Sequence, residues 1–568
     1  MPDEVICCKT FGELRWYRDY CRPLIIIIGG RFFIAFRKRS IFKTDTLIKV
    51  VMMVVFFAIM IIIGIYCRKQ SSDVNGFVLG GRSVGPWLSA FAYGTSYFSA
   101  VIFIGYAGQF GWKFGLASTW IGIGNALLGS LLAWVVLGRR TRLMTQRLSS
   151  ATMPEFFEKR YDSKAMKIAA SAIIFVFLIP YTASLYNGLS KLIDMAFPEI
   201  PGGFTTCVIV MAALTAVYVI IGGYMATAIN DFVQGIIMLF GIVLVIALVL
   251  KSNGGFSEAV ASLGAITEGA NFNGAFASFF GNDPFSLLWV VILTSLGTWG
   301  LPQMVGKFYA IKNEKAINTG TVVSTLFAII VAGGCYFLGG FSRLYADSDI
   351  YKLDGSVDFD SIIPNMLNNL PAIVIGLVLI LVLSASMSTL SSLVLTSSST
   401  LTLDMLCETC MKKASKKSRL SVIRILILVF IAISAVIAIV QNKYGLAFIA
   451  QFMGVSWGAL AGAFLAPFLY GLYWKKTTKA ACFVNFSVST ILMVGYLVLK
   501  FAAPDVLSSL PAFWQSPINL GAVMMLASLV IVPVVSLVTK KPDSAKTDEI
   551  FECYNKEVTV GAKESLGK

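Results

Sequence analysis

The sequence predicts an all-α polytopic membrane protein with about thirteen transmembrane helices, and three observations predict it. Of the 568 residues, 57% are hydrophobic and only 13% charged, whereas a soluble domain carries roughly 25% charged and 45–50% apolar residues. Apolar runs of about 20 residues, enough to cross a bilayer, recur from residue 46 to residue 538. Lysine and arginine gather in alternate loops between those runs, as the positive-inside rule requires of a membrane protein.

Taken in order, the runs cover 46–67, 85–108, 115–138, 165–189, 204–222, 227–250, 283–300, 318–341, 366–400, 421–441, 446–473, 479–500 and 517–538. The ninth is too long for an ordinary span and must extend beyond the bilayer or bend. One set of loops, with the C-terminal tail 539–568, holds Arg139, Arg140, Arg142, Arg147, Lys412, Lys413, Lys416 and Lys417. The other set holds only Lys113, Lys191, Lys251, Arg343, Lys352, Lys443 and Lys500. That asymmetry places the N-terminus outside and the C-terminus in the cytoplasm. Residues 1–45 run against it, with nine basic residues from Lys9 to Lys43 on the outer side. Leu24–Phe36 is apolar but short and carries Arg31, and no small-residue cleavage site follows it. The extension is therefore expected to be non-structural, with the working chain starting near Met52 or Met53.

The net charge of +16 follows from this loop bias and does not require nucleic acid. The chain has no histidine, which removes the Ser-His-Asp triad, histidine-ligated zinc or haem, and histidine proton relays. Its ten cysteines include the Cys407/Cys410 pair, but no second pair makes a zinc site. No nucleophile–base constellation appears, so the reading is not an enzyme. Movement of a solute is the function class left.

Polar groups and irregular backbone are costly in lipid and mark functional candidates. The second span reads Leu88-Ser-Ala-Phe-Ala-Tyr-Gly-Thr-Ser-Tyr-Phe-Ser-Ala100, its apolar run interrupted over Gly94–Ser99. The seventh carries Leu296-Gly-Thr-Trp-Gly-Leu-Pro302, where Gly297, Gly300 and Pro302 break or kink a helix. They lie five spans apart, and an odd-numbered repeat enters the membrane inverted. Interrupted helices at matching places of inverted repeats point to a transporter site; ordinary Gly/Ser helix packing is the other reading. The ninth span has eleven hydroxyl side chains in Ser384–Thr400. Ala385, Ser388, Ser391 and Ser392 share one face with Thr389 beside them. Neutral oxygens without imidazole or thiolate suit a hard cation such as Na⁺, although a small-residue packing face would look the same. Asp231 lies in the sixth span, either as an anionic ligand for a cation or as an interfacial residue or N-cap.

These residues resemble the sodium:solute symporter family over about 46–540. Leu79-Gly-Gly-Arg-Ser-Val-Gly-Pro86, Ile221-Gly-Gly with Asp231-x-x-Gln234, and Met387-Ser-Thr-Leu-Ser391 are similar to stretches of sodium/proline symporters and stand in the same order. The resemblance implies a LeuT-type core of two inverted five-helix repeats, 85–250 and 283–473, with peripheral helices at 46–67 and 479–538. It implies a main Na⁺ site made by the carbonyls of Thr95, Phe98 and Ala385 and the hydroxyls of Ser388 and Thr389. Asp231, Ser391 and Ser392 would form a second, and Arg82 of the GGR motif would serve coupling. Ser96, Tyr97, Ser99, Tyr181, Thr298 and Trp299 would face the solute. Tyr97 stands where proline transporters have aspartate, and Thr294 and Thr298 where they have tryptophan and tyrosine, whereas Tyr181 matches. Pantothenate-type members resemble the segment around 226–235, so an organic acid rivals an amino acid as substrate. The expected function is thus Na⁺-coupled import of a small organic solute across the plasma membrane. A solute sensor and a proton-coupled symporter are the alternatives.

Overall fold

The computed structural model describes residues 21–28, 31–38, 41–68, 73–198, 202–346, 350–352, 355–368, 370–444 and 449–555. Among these, ten helices are long and apolar enough to cross a membrane, and the bent pair Pro284–Gly300 and Pro302–Tyr309 makes a further span. Two of the ten have double length, Val101–Arg147 with 47 residues and Gly203–Ser252 with 50. At 1.5 Å per residue each is roughly 70 Å long, more than twice the ~30 Å hydrocarbon core. Each also contains a glycine outside helical geometry, Gly115 at φ 63°, ψ −142° and Gly223 at φ 56°, ψ −157°, conformations open to glycine and costly for other residues. Divided there, the described helices make thirteen spans: 41–66, 86–114, 115–147, 164–196, 203–222, 224–252, 284–309, 314–339, 372–409, 416–444, 449–473, 479–502 and 517–538.

Two spans depart from the sequence expectation in ways that bear on the site. The seventh continues past Pro302 to Tyr309 instead of ending at 300, because a proline at the first helical position restarts a helix without needing its missing N–H. The ninth runs 372–409 rather than 366–400, extended by a π-helical stretch, Leu401–Leu406. The second is interrupted within the expected stretch Gly94–Ser99, at its far end. Its helix holds through Tyr97 and opens at Phe98, which is extended at φ −108°, ψ 135°. Gly94 serves packing, since a Cβ there would stand 2.9 Å from the Phe327 ring.

The N-terminal extension carries an antiparallel hairpin, Cys21–Ile28 with Arg31–Lys38, where no element was expected; residues 1–20 lie outside the described residues. The first span begins at Ile41. A start at Met52 would leave roughly 22 Å of that helix, less than the core it must cross. The tail is helical at Ser544–Phe551 and docks on the loop ends: Arg147 pairs with Glu549 at 2.8 Å, and Tyr554 donates to the Leu472 carbonyl at 2.7 Å. The ends of spans three and eleven and the tail therefore share one face of the membrane.

The ninth span is central and the first peripheral, with 83% and 17% of their apolar windows buried. Around the centre, backbones approach closely. A Cβ on Gly111 would lie 2.0 Å from the Gly339 carbonyl oxygen, one on Gly339 2.3 Å from that of Ala107, and one on Gly122 2.4 Å from the Gly333 Cα. Spans two, three and eight thus meet through small-residue contacts that only glycine permits.

In the loop before the ninth span, Asp360 is buried and accepts from the Ile449 N–H at 3.1 Å, capping the eleventh span. Burial, reinforced by the neighbouring Asp358, pushes its carboxyl up to about 7. A raised carboxyl binds its proton more tightly in the fold than in the unfolded chain. Its contribution is therefore present at low pH and lost as pH rises through about 7. Asp360→Asn is expected to flatten the fall in melting temperature between pH 5 and pH 8. An unchanged slope would show that this carboxyl does not control it.

Candidate functional site

The two interrupted spans present backbone that no helix satisfies. In the second, Phe98 and Ser99 leave helical geometry, and the following half begins with the Ala100 N–H donating to Ser386 Oγ of the ninth span at 3.3 Å. In the seventh, Gly297–Gly300 tighten into a 3₁₀ turn, Leu301 is extended, and the two halves meet at 46°.

The ninth span closes on the first of these breaks with hydroxyls. Thr389 Oγ1 lies 3.1 Å from the Phe98 carbonyl and 3.1 Å from that of Ala385. The second contact is an ordinary bond back along the helix; the first crosses between helices. Ser388 donates to Thr95 Oγ1 at 2.9 Å, and all five residues are buried. Thr95, Phe98, Ala385, Ser388 and Thr389, with contacts between residues 291 and 293 positions apart in sequence, form a cluster of neutral oxygens of the kind that suits a hard monovalent cation.

One turn along the ninth span the chemistry changes. Ser392 Oγ is 3.2 Å from Ser96 Oγ and accepts from Lys307 Nζ at 3.0 Å. The same ammonium reaches Asp231 Oδ2 at 3.5 Å and lies 5.4 Å from the centre of the Tyr224 ring. Asp231 and Lys307 are 0% and 4% exposed, so neither charge is an interfacial one. Nor is Asp231 an N-cap, because the helix runs through it from Gly223 to Ser252. Ser391 instead donates back to the Ser388 carbonyl at 2.9 Å. Of the second expected group, Asp231 and Ser392 thus come together around a lysine, and Ser391 is turned toward its own helix.

The residues expected around the solute divide. Tyr181 faces Ser99 and Trp457, with Tyr97 and Tyr181 edge-on to the Trp457 ring at 6.5 and 6.0 Å. Ser99 Oγ and Trp457 Nε1 are buried beside the break, with the Tyr181 hydroxyl as the polar group they face. The Tyr97 hydroxyl donates to the Thr294 carbonyl. Ser96 faces the Lys307 group. Thr298 and Trp299 lean on the third span, bonded to the carbonyls of Gly129 at 3.3 Å and Leu128 at 3.0 Å. Arg82 lies apart from both groups. Three successive left-handed residues, Gly80, Gly81 and Arg82, turn the chain there. The guanidinium then ties that turn to Thr145 Oγ1 at 3.3 Å and to the Ser150 carbonyl at 2.5 Å.

Two residues escaped the sequence reading. Lys307 looked like one more loop cation because the seventh span was ended at 300; an intramembrane aspartate, which requires a partner, was the available signal. Trp457 sits in an unbroken apolar helix, and nothing in its neighbours distinguishes it.

The sodium:solute symporter family model matches residues 77–488. The osmoregulated proline transporter OpuE of Bacillus subtilis is 26% identical over 497 residues, covering 86% of this chain and 95% of that protein. Sodium/proline symporter 2 of Staphylococcus saprophyticus is 28% identical over 510 residues, covering 88% and 94%. Among solved structures, a substrate-bound, outward-open Na⁺-coupled sialic acid symporter aligns with a TM-score of 0.68 at 15% identity, over 87% of this chain and 99% of that one. At such low identity the likeness concerns the fold, the LeuT-type core of inverted five-helix repeats. A family match spanning most of the chain places it with certainty: this protein belongs to the sodium:solute symporter family.

Proposed function

We propose that this multi-pass membrane protein imports a small organic solute of the proline class across the plasma membrane, driven by Na⁺ and working by alternating access. The single observation that supports it most is the Thr389 hydroxyl joining the opened second span to the ninth through the Phe98 carbonyl. A cation taken up there would draw the two helices together and favour one access state over the other, and a ligand shifts such an equilibrium only through that difference in affinity. The solute would sit beside the break, against Tyr97, Ser99, Tyr181 and Trp457. The basic loops and the docked tail would face the cytoplasm and the N-terminus the exterior.

The driving force sets the scale. A potential of about 100 mV contributes roughly 2.3 kcal/mol per charge, and a tenfold Na⁺ gradient adds about 1.4. One Na⁺ per turnover supports roughly 500-fold accumulation of a neutral solute. In liposomes holding the purified protein, labelled proline is expected to accumulate under an inward Na⁺ gradient and to leak out when the gradient is collapsed. Accumulation driven by a pH gradient at equal Na⁺ would overturn the choice of ion. Transport of a carboxylic acid such as pantothenate but not of proline would overturn the choice of solute.

A further inference from the structure

Asp231 is a fully buried carboxyl in the middle of the bundle, and the resemblance suggests a cation there. The structure already supplies one. Lys307 Nζ stands 3.5 Å from Asp231 Oδ2 and 3.0 Å from Ser392 Oγ, contacting two of the three residues of the second expected sodium group. Its stem comes from the half-helix Pro302–Tyr309, so the break in the seventh span is what brings an ammonium to this depth. The pair is neutral as it stands. A sodium ion added between Asp231 and Ser392 would place two cations on one buried carboxylate, where low polarity makes like-charge repulsion severe. The main cluster differs: Thr95, Phe98, Ala385, Ser388 and Thr389 bring no formal charge of their own, and Ser388, which also faces the Asp231 carboxyl, links it to the lysine pair one turn along the ninth span.

We propose that Lys307 is a tethered cation standing in the second sodium position, so that the protein binds and carries one Na⁺ per turnover. The inference rests on the sodium-coupled reading above. It fixes the concentrating power at the one-ion value, and it makes Lys307 a permanent part of the structure that a two-ion relative would have to load from solution.

The test is equilibrium binding of ²²Na⁺ to the full-length protein in detergent micelles, counted per chain. Wild type is expected to bind one ion with a Hill coefficient near 1. Lys307→Met, which keeps the stem and removes the charge, is expected to bind two. Lys307→Met combined with Asp231→Asn should return to one. Lys307→Arg, the variant to use if Lys307→Met does not fold, should also stay at one. Two ions on the wild-type chain, two on Lys307→Arg, or still one on a folded Lys307→Met would each overturn the inference while leaving sodium coupling intact. No saturable ²²Na⁺ binding to wild type would instead remove the sodium-coupled reading, and the inference with it.

Discussion

Replacing Ser388 and Thr389 together by alanine is expected to raise the Na⁺ concentration for half-maximal uptake by at least about 100-fold. The two hydroxyls are the only side-chain oxygens the ninth span is assigned in the main cluster, the other members being backbone carbonyls or on the second span. A hydrogen bond or ligand contact to a charged group is worth about 1.5–3 kcal/mol, so two lost contacts amount to about 3 kcal/mol or more, and each 1.4 kcal/mol is tenfold. Thr389 adds a structural share, since its bond to the Phe98 carbonyl joins the ninth span to the opened second one. Both side chains are small and their removal opens little space, so the fold should survive. The measurement is the Na⁺ dependence of solute uptake in liposomes at matched protein amounts. A shift under threefold in a protein of unchanged melting temperature would place the ion elsewhere.

Gly111→Ala should be among the most damaging single-methyl changes in the core. The new Cβ would lie 2.0 Å from the Gly339 oxygen and 2.2 Å from its carbonyl carbon. Both are backbone atoms, so no rotamer relieves the overlap. The approach is mutual, because Gly339 faces the Ala107 carbonyl in the same way, and neither helix can turn aside. Overpacking a core ordinarily costs about 1–3 kcal/mol, and a contact with no side chain to yield belongs at or above the top of that range. Gly495, inside the twelfth span, is the matched control: among the described residues nothing lies within 4 Å of its Cβ position, and alanine there should gain about 0.5–1 kcal/mol of helix stability. Melting of the detergent-solubilised variants distinguishes them. Equal stability of Gly111→Ala and Gly495→Ala would refute the packing argument.

The thirteen spans were legible because lipid imposes the same demand on each, a run of apolar residues about 30 Å long. The cluster at Thr95, Phe98, Ala385, Ser388 and Thr389 was legible because hydroxyls crowded on one helix face have few other uses in a membrane. Places where backbone geometry overrides composition were harder to read. Within the interrupted stretch Gly94–Ser99 composition does not mark the point of opening: the helix passes through Gly94, which packs on Phe327, and opens at Phe98. Pro302 looks like an end and is a beginning, and that error alone put Lys307 in a loop. Thr298 and Trp299 sit at the break by sequence, but their side chains hold the third span. Which way a side chain turns at an interrupted helix depends on neighbours hundreds of residues away.

The glycine contacts among spans two, three and eight also govern how this protein moves. Sliding the eighth span along the second would carry the Gly339 carbonyl away from Gly111, whose missing side chain makes room for it, toward the same-face residues a turn away at Ala107 and Phe114. Gly122 against Gly333 sets the same stop between the third and eighth. Shear is disfavoured at both seams, and these spans are expected to tilt together, as a single lever. The opened backbone at Phe98 and the 46° joint in the seventh span are then its pivots.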